Sequence, residues 1–113
     1  MIERIDTNKR MSQIVKHNGV VYLSGQVGNP GDSAAEQTRQ CIAKVESQLE
    51  KAGSAPDKIL QAIIWLSDLK HFPEMNKVWD SWLPEGVAPT RACGQVQPPR
   101  EGAIVEITVI AAL

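Results

Sequence analysis

Hydrophobic and polar positions change period several times along the chain, and each change marks an element. Val20-Val21-Tyr22-Leu23-Ser24 is rich in β-branched and aromatic residues and predicts a strand. Residues 11–17 also suit an extended form, and His17-Asn18-Gly19 supplies turn chemistry between the two runs, so a hairpin is expected. Residues 1–9 are mostly polar, anchored only by Ile2 and Ile5, and fit a short edge strand or an ordered arm. Residues 25–32 hold three glycines and Pro30 and read as a loop.

The period then switches to alternating steps of three and four at Ala35, Thr38, Ile42, Val45, Leu49 and Ala52, the stripe of a helix facing a core. Ser33 and Glu36 have capping-box spacing at its start, and Gly53 is placed to cap its end. Residues 58–67 carry Ile59, Leu60, Ile63, Ile64, Trp65 and Leu66 at both parities. A strand apolar on both faces is covered on both, here by a helix or by another subunit. Residues 20–24, the helix and residues 58–67 make a strand–helix–strand unit, which favours a right-handed crossover and parallel pairing. Pro73 opens a second helix, with Phe72, Met75, Val78, Trp79 and Trp82 as its apolar stripe and Pro84-Glu85-Gly86 as its stop. Asn76 lies on the apolar side beside Met75 and Trp79, where an amide either bonds locally or faces a site.

Two further apolar-rich runs flank Gln97-Pro98-Pro99-Arg100-Glu101-Gly102 near the end of the chain. They predict two strands joined as a hairpin. Arg91, Cys93 and Gln95 share one face of the first, and Ile104, Glu106, Thr108 and Ile110 one face of the second. Pairing about Pro98-Pro99 would set Arg91 opposite Glu106; a slip of one residue would turn Glu106 to the other face. The order β-β-α-β-α-β-β over residues 1–113 describes one α+β domain, with two helices packed on one face of a mixed sheet.

Charge and composition narrow the function. The formal net charge is -1, from 12 Lys+Arg against 13 Asp+Glu, which gives no electrostatic footprint for nucleic acid or an anionic membrane. The first fifteen residues are too charged for a secretory signal, and the apolar runs are too short to span a bilayer. Two cysteines, Cys41 and Cys93, do not make a disulfide scaffold, so a reducing cytoplasm is the expected compartment. His17 and His71 stand alone, without zinc-ligand spacing. Ser24 lacks a nucleophile elbow, and Gly25-Gln26-Val27-Gly28 lacks the Lys and Ser/Thr of a phosphate loop. Arg91 taken alone is a surface arginine, and Cys93 a small buried hydrophobe. Glu106 sits in a strand that otherwise looks buried, where a carboxylate needs a reason. It is an ion-pair partner of Arg91, a position on an exposed face, or a proton-handling group.

Leu23-Ser24-Gly25-Gln26, Asn76, Ala88-Pro89-Thr90-Arg91-Ala92-Cys93 and the run from Val105 through Glu106 to Ala111 resemble the RidA (YjgF) family, over essentially the whole chain and in element order. The resemblance implies a chorismate-mutase-like fold and a homotrimer with three clefts, each between adjacent subunits. It implies enamine/imine deaminase activity: hydrolysis of reactive 2-imino acids to 2-keto acids and ammonia, without metal or organic cofactor. By position, Arg91 would bind the substrate carboxylate and Glu106 would position or activate water. Cys93, Ser24, Gly25 and Asn76 would line the cleft. Met11 stands where well-studied deaminases of the family carry an aromatic residue, and the Gly28-Asn29-Pro30-Gly31 connection is shorter than usual, so a divergent branch with an altered pocket wall is implied. The chemistry agrees, since an imine beside a carboxylate needs a bidentate cation and a water next to the C=N carbon. Two other readings remain: a non-catalytic protein that senses a small carboxylate metabolite, and an RNA-cleaving or translation-inhibiting protein, which the absence of basic, aromatic-interleaved segments disfavours.

Overall fold

The structure is a computed structural model describing residues 1–113. Strand β1 (Glu3–Thr7) pairs antiparallel with β2 (Ser12–His17), and β2 with β3 (Val20–Leu23). The expected turn joins β2 and β3: Asn18 (φ 50°) and Gly19 (φ 77°) are both left-handed, as a two-residue hairpin connection requires. Residues 25–32 are not wholly a loop. Gln26–Val27 forms a two-residue strand, β4, paired with the last strand of the chain.

Helix α1 (Ala34–Ala52) starts and stops where its caps predict. Ser33 Oγ accepts from Glu36 N–H at 3.1 Å, but the Glu36 carboxylate turns to Arg39 at 3.2 Å instead of reaching back. The exposed first turn is served instead by Glu74, whose Oε2 accepts from Ala35 N–H at 2.6 Å. Gly53 closes the helix in the left-handed region, with Ser54 N–H reaching Leu49 O at 2.8 Å. The buried stripe begins at Ala34, one position before the Ala35 that spacing suggested, and includes Gln37. This fully buried amide ties the first turn of α1 to the start of the last strand: Oε1 accepts from Ile104 N–H at 2.7 Å, and Nε2 donates to the carbonyls of Asp32 and Gly102.

Strand β5 (Ile59–Leu66), helix α2 (Phe72–Asp80), strand β6 (Thr90–Gln95) and strand β7 (Val105–Ala112) complete the chain. The strand order is β1-β2-β3-β7-β5-β6, with β4 beside β7. Two expectations fall here. Strands β3 and β5 run parallel but are not neighbours, because β7 lies between them, antiparallel to both. Strands β6 and β7 form no hairpin: β6 pairs in parallel with β5. The connection of residues 96–104 rounds the end of β5, where Val96 N–H donates to Leu66 O (3.0 Å) and Ser67 N–H to Ile104 O (2.9 Å). In the centre β7 has both edges hydrogen-bonded, which an edge hairpin would leave half unmet.

The mixed α+β sheet carries both helices on one face. Val105, Ile107, Val109 and Ala111 of β7, with Ala62, Ile64 and Leu66 of β5, are buried on that side against the apolar stripes of α1 and α2. The opposite face holds Glu106, Thr108 and Ile110 of β7, Ile63 and Trp65 of β5 and Tyr22 of β3. These side chains are only partly buried, Tyr22 being 44% exposed, and no helix lies over them. The second cover expected for the doubly apolar strand is therefore absent from the chain itself. No helix is long and apolar enough to cross a membrane.

Candidate active site

The candidate residues fall into two groups. The first gathers where β3 gives way to β4 beside β7. Glu106 rises from the uncovered face, and its carboxylate occupies the space a side chain at position 25 would need, with Thr108 Oγ1 at the same spot. Gly25 thus exists as a close backbone approach to a carboxylate. Ser24 is held by two bonds to β2: its Oγ donates to Ser12 O at 2.6 Å and its N–H to Gln13 O at 3.0 Å. Met11, next to Ser12, is 43% exposed. No ion pair takes up Glu106, and partial burial raises its pKa above the ordinary carboxylate value.

The second group lies at the other edge of the sheet. Arg91 and Cys93 of β6 sit level with Ala62 and Ile64 of β5, on the helix-covered side. Arg91 Nη1 donates to Asn76 Oδ1 of α2 at 2.7 Å. Its Cζ lies 5.7 Å from the Phe72 ring centroid and 5.5 Å from that of Trp79. The amide that looked out of place on an apolar stripe is thus the arginine's acceptor. Cys93 is half-buried, and burial raises its thiol pKa while the nearby Arg91 opposes the rise, so at neutral pH it lines the surface as a thiol. Cys41, on the inward face of α1, is fully buried and donates to Gln26 O; burial pushes its pKa up to about 12, which leaves it a structural group.

Arg91 does not stand opposite Glu106. Arg91 is level with Ala62 and Val109, Glu106 with Trp65 and Gly94, three residues along and on the other face. Two strand spacings across and three residues along put the Cα atoms roughly 14 Å apart. The ion pair weighed from sequence is not formed. Within one chain the structure brings Ser24, Gly25 and Glu106 together, with Met11 one residue from the Ser12 carbonyl that Ser24 binds, and separately Asn76, Arg91 and Cys93, but not the two groups. None of the surface depressions of the chain is lined by Arg91, Cys93 or Glu106; the largest, about 430 Å³, lies between α1 and α2 around Arg39, Glu74 and Lys77. Sequence reasoning treated Phe72 and Trp79 as core alone and passed over Gln37, whose signal was a long polar side chain one turn from Cys41 on the inward face.

A family model described as Endoribonuclease L-PSP matches residues 1–113. The RutC family protein YoaB of Escherichia coli K12 is 40% identical over 112 residues, covering 99% of this chain and 98% of its own. Protein mmf1, mitochondrial, of Schizosaccharomyces pombe is 37% identical over 112 residues, covering 88% of this chain and 66% of its own. A solved member of the YjgF protein family from Neisseria meningitidis superposes with a TM-score of 0.95 at 38% identity, over 99% of this chain and 94% of that one. With motifs, strand order and full-length relatives in agreement, the chain belongs to the RidA (YjgF) family.

Proposed function

We propose that the protein is an enamine/imine deaminase that hydrolyses reactive 2-imino acids to 2-keto acids and ammonia. The site is a cleft between two copies of the chain, pairing the Arg91 group of one with the Glu106 group of the next. The observation that carries this reading is the state of the two charges. Arg91 is exposed and has no carboxylate partner; Glu106 is partly desolvated and has no cationic one. Each is half of a site, and the halves lie on opposite faces of one sheet. A head-to-tail ring of subunits brings such unlike patches together. The half-exposed apolar face around Tyr22, Ile63, Trp65 and Ile110 favours the same assembly, a homotrimer in which neighbouring subunits cover it.

Chemistry follows from the charges. The Arg91 guanidinium takes the substrate carboxylate through two parallel N–H donors. Glu106 in its carboxylate form accepts a proton from a water as the oxygen bonds to the C=N carbon. That proton passes to the nitrogen to give a carbinolamine; the hydroxyl then yields the second proton, again by way of Glu106 to the nitrogen, as the C–N bond breaks, the carbon becomes a carbonyl and ammonia leaves. One water is consumed for each ammonia released. A general base of this kind contributes about 10²–10⁴-fold. Cys93 needs no thiolate in this scheme, which suits its raised pKa.

The test is to generate a 2-imino acid in situ with an amino-acid oxidase and follow keto-acid formation with and without the protein. Acceleration that is lost in Arg91→Ala and in Glu106→Ala is expected. Undiminished acceleration in either variant removes that residue's role. Binding of 2-keto acids that needs Arg91, without turnover and indifferent to Glu106→Ala, would mark a metabolite sensor instead. Light scattering should give about three times the 12.4 kDa mass of the chain.

A further inference from the structure

Phe72, Asn76 and Trp79 recur on α2 at i, i+4 and i+7, which places them on one helix face. The outer two are about 10.5 Å apart along the axis. Arg91 Cζ lies 5.7 Å from one ring centroid and 5.5 Å from the other, each about half that spacing. The guanidinium therefore packs over both aromatic rings and donates from Nη1 to the amide oxygen of Asn76, the residue between them on that helix face, at 2.7 Å. None of the three ion pairs in the molecule involves Arg91. A carboxylate in the place of Asn76 would hold the arginine equally well but would cancel its charge. Ring faces and a neutral amide locate the cation and leave its charge for an anion. Only Nη1 is engaged, so most of the five N–H donors stay free for a bidentate partner.

We infer that Phe72 and Trp79 are positioning residues, forming with Asn76 a socket that fixes the Arg91 guanidinium for the substrate carboxylate. The inference rests on the deaminase reading for its ligand, not for its geometry. Trp79 is the anchored wall: it is buried in the core and meets Trp82 edge-on at 5.1 Å. Phe72 is the outer wall. It is 37% exposed and stands outside the buried cluster, so the core does not need its ring.

The exposed wall makes the test clean. The probe is 2-oxobutanoate, with binding followed by calorimetry, turnover by the imine assay and the Arg91 Nε–Hε resonance by NMR, assigned from its loss in R91A. Phe72→Leu keeps an apolar side chain and removes the ring; Phe72→Tyr keeps the ring. Phe72→Leu should weaken 2-oxobutanoate binding roughly three- to tenfold and raise KM alike, with kcat little changed. Its Arg91 resonance should move as the Phe72 share of the ring-current shift is lost and that of Trp79 remains, and Phe72→Tyr should match the wild type in all three. A Phe72→Leu protein with wild-type Kd, KM and Arg91 resonance overturns the socket. If the wild type neither binds 2-oxobutanoate nor hydrolyses imines, the deaminase reading falls, and the resonance alone then decides: a shift unchanged in Phe72→Leu overturns the socket, and one reduced there and kept in Phe72→Tyr upholds it.

Discussion

Mixing two inactive variants should restore activity. Arg91→Ala removes the cation and Glu106→Ala the base, and each homo-oligomer should keep less than about 1% of wild-type turnover, the loss expected of an absent general base or anchor. In one chain the two residues are on opposite faces of the sheet, three residues apart in register, so they do not share a pocket. If each cleft takes Arg91 from one subunit and Glu106 from its neighbour, variants unfolded together and refolded at equal concentration mix at random. A given cleft then has an even chance of an intact arginine and an independent even chance of an intact glutamate, so about a quarter of clefts are complete, whatever the number of subunits in the ring. The assay is imine hydrolysis by the co-refolded mixture against the parents refolded apart, with native mass spectrometry to verify mixed oligomers. A second mixture, wild type with the double variant, separates the models again: about a quarter of wild-type activity per cleft for a shared site, about a half for a site within one chain. Mixed oligomers with no more activity than their parents would refute the shared cleft.

Three further outcomes follow from single side chains. Gly25→Ala places a methyl where the Glu106 carboxylate lies, and should lower kcat by on the order of 10²-fold with a modest change in melting temperature; wild-type kcat would show that this carboxylate position is not the reactive one. Gln37→Leu leaves the Ile104 and Val105 N–H groups without their acceptor and should cost about 2–3 kcal/mol in urea unfolding, and a loss under about 0.5 kcal/mol would contradict the buried amide's role in tying α1 to β7. Burial raises the Glu106 pKa above its unfolded value, so the folded chain holds the extra proton between the two values and loses stability as pH rises through that window. Glu106→Gln should therefore melt higher than the wild type at neutral pH, with the gain vanishing near pH 3, roughly where both states are protonated; a gain equal at both pH values would be inconsistent with it.

The sequence by itself determined most of what depends on neighbours along the chain. Ser33 and Gly53 mark α1 because capping is a matter of three or four residues, and Asn18-Gly19 marks the first hairpin because two residues take positive φ. It also assigned faces within strands: Arg91 and Cys93 do share one side of β6, and Glu106 and Thr108 one side of β7, since alternation is local. Which strand lies beside which was decided only by the tertiary structure. The stretch from Gln97 to Gly102 has the composition of a hairpin loop, yet with its flanking residues it carries the chain past β5 so that β7 takes the centre of the sheet. Nothing in the alternation of Val105, Ile107, Val109 and Ala111 names a partner, because pairing is settled by burying all apolar strips at once under α1 and α2. The same long-range choice put Arg91 and Glu106 on opposite faces, and so took apart a pocket imagined within one chain; the proposed cleft calls on a second copy to bring the two groups together.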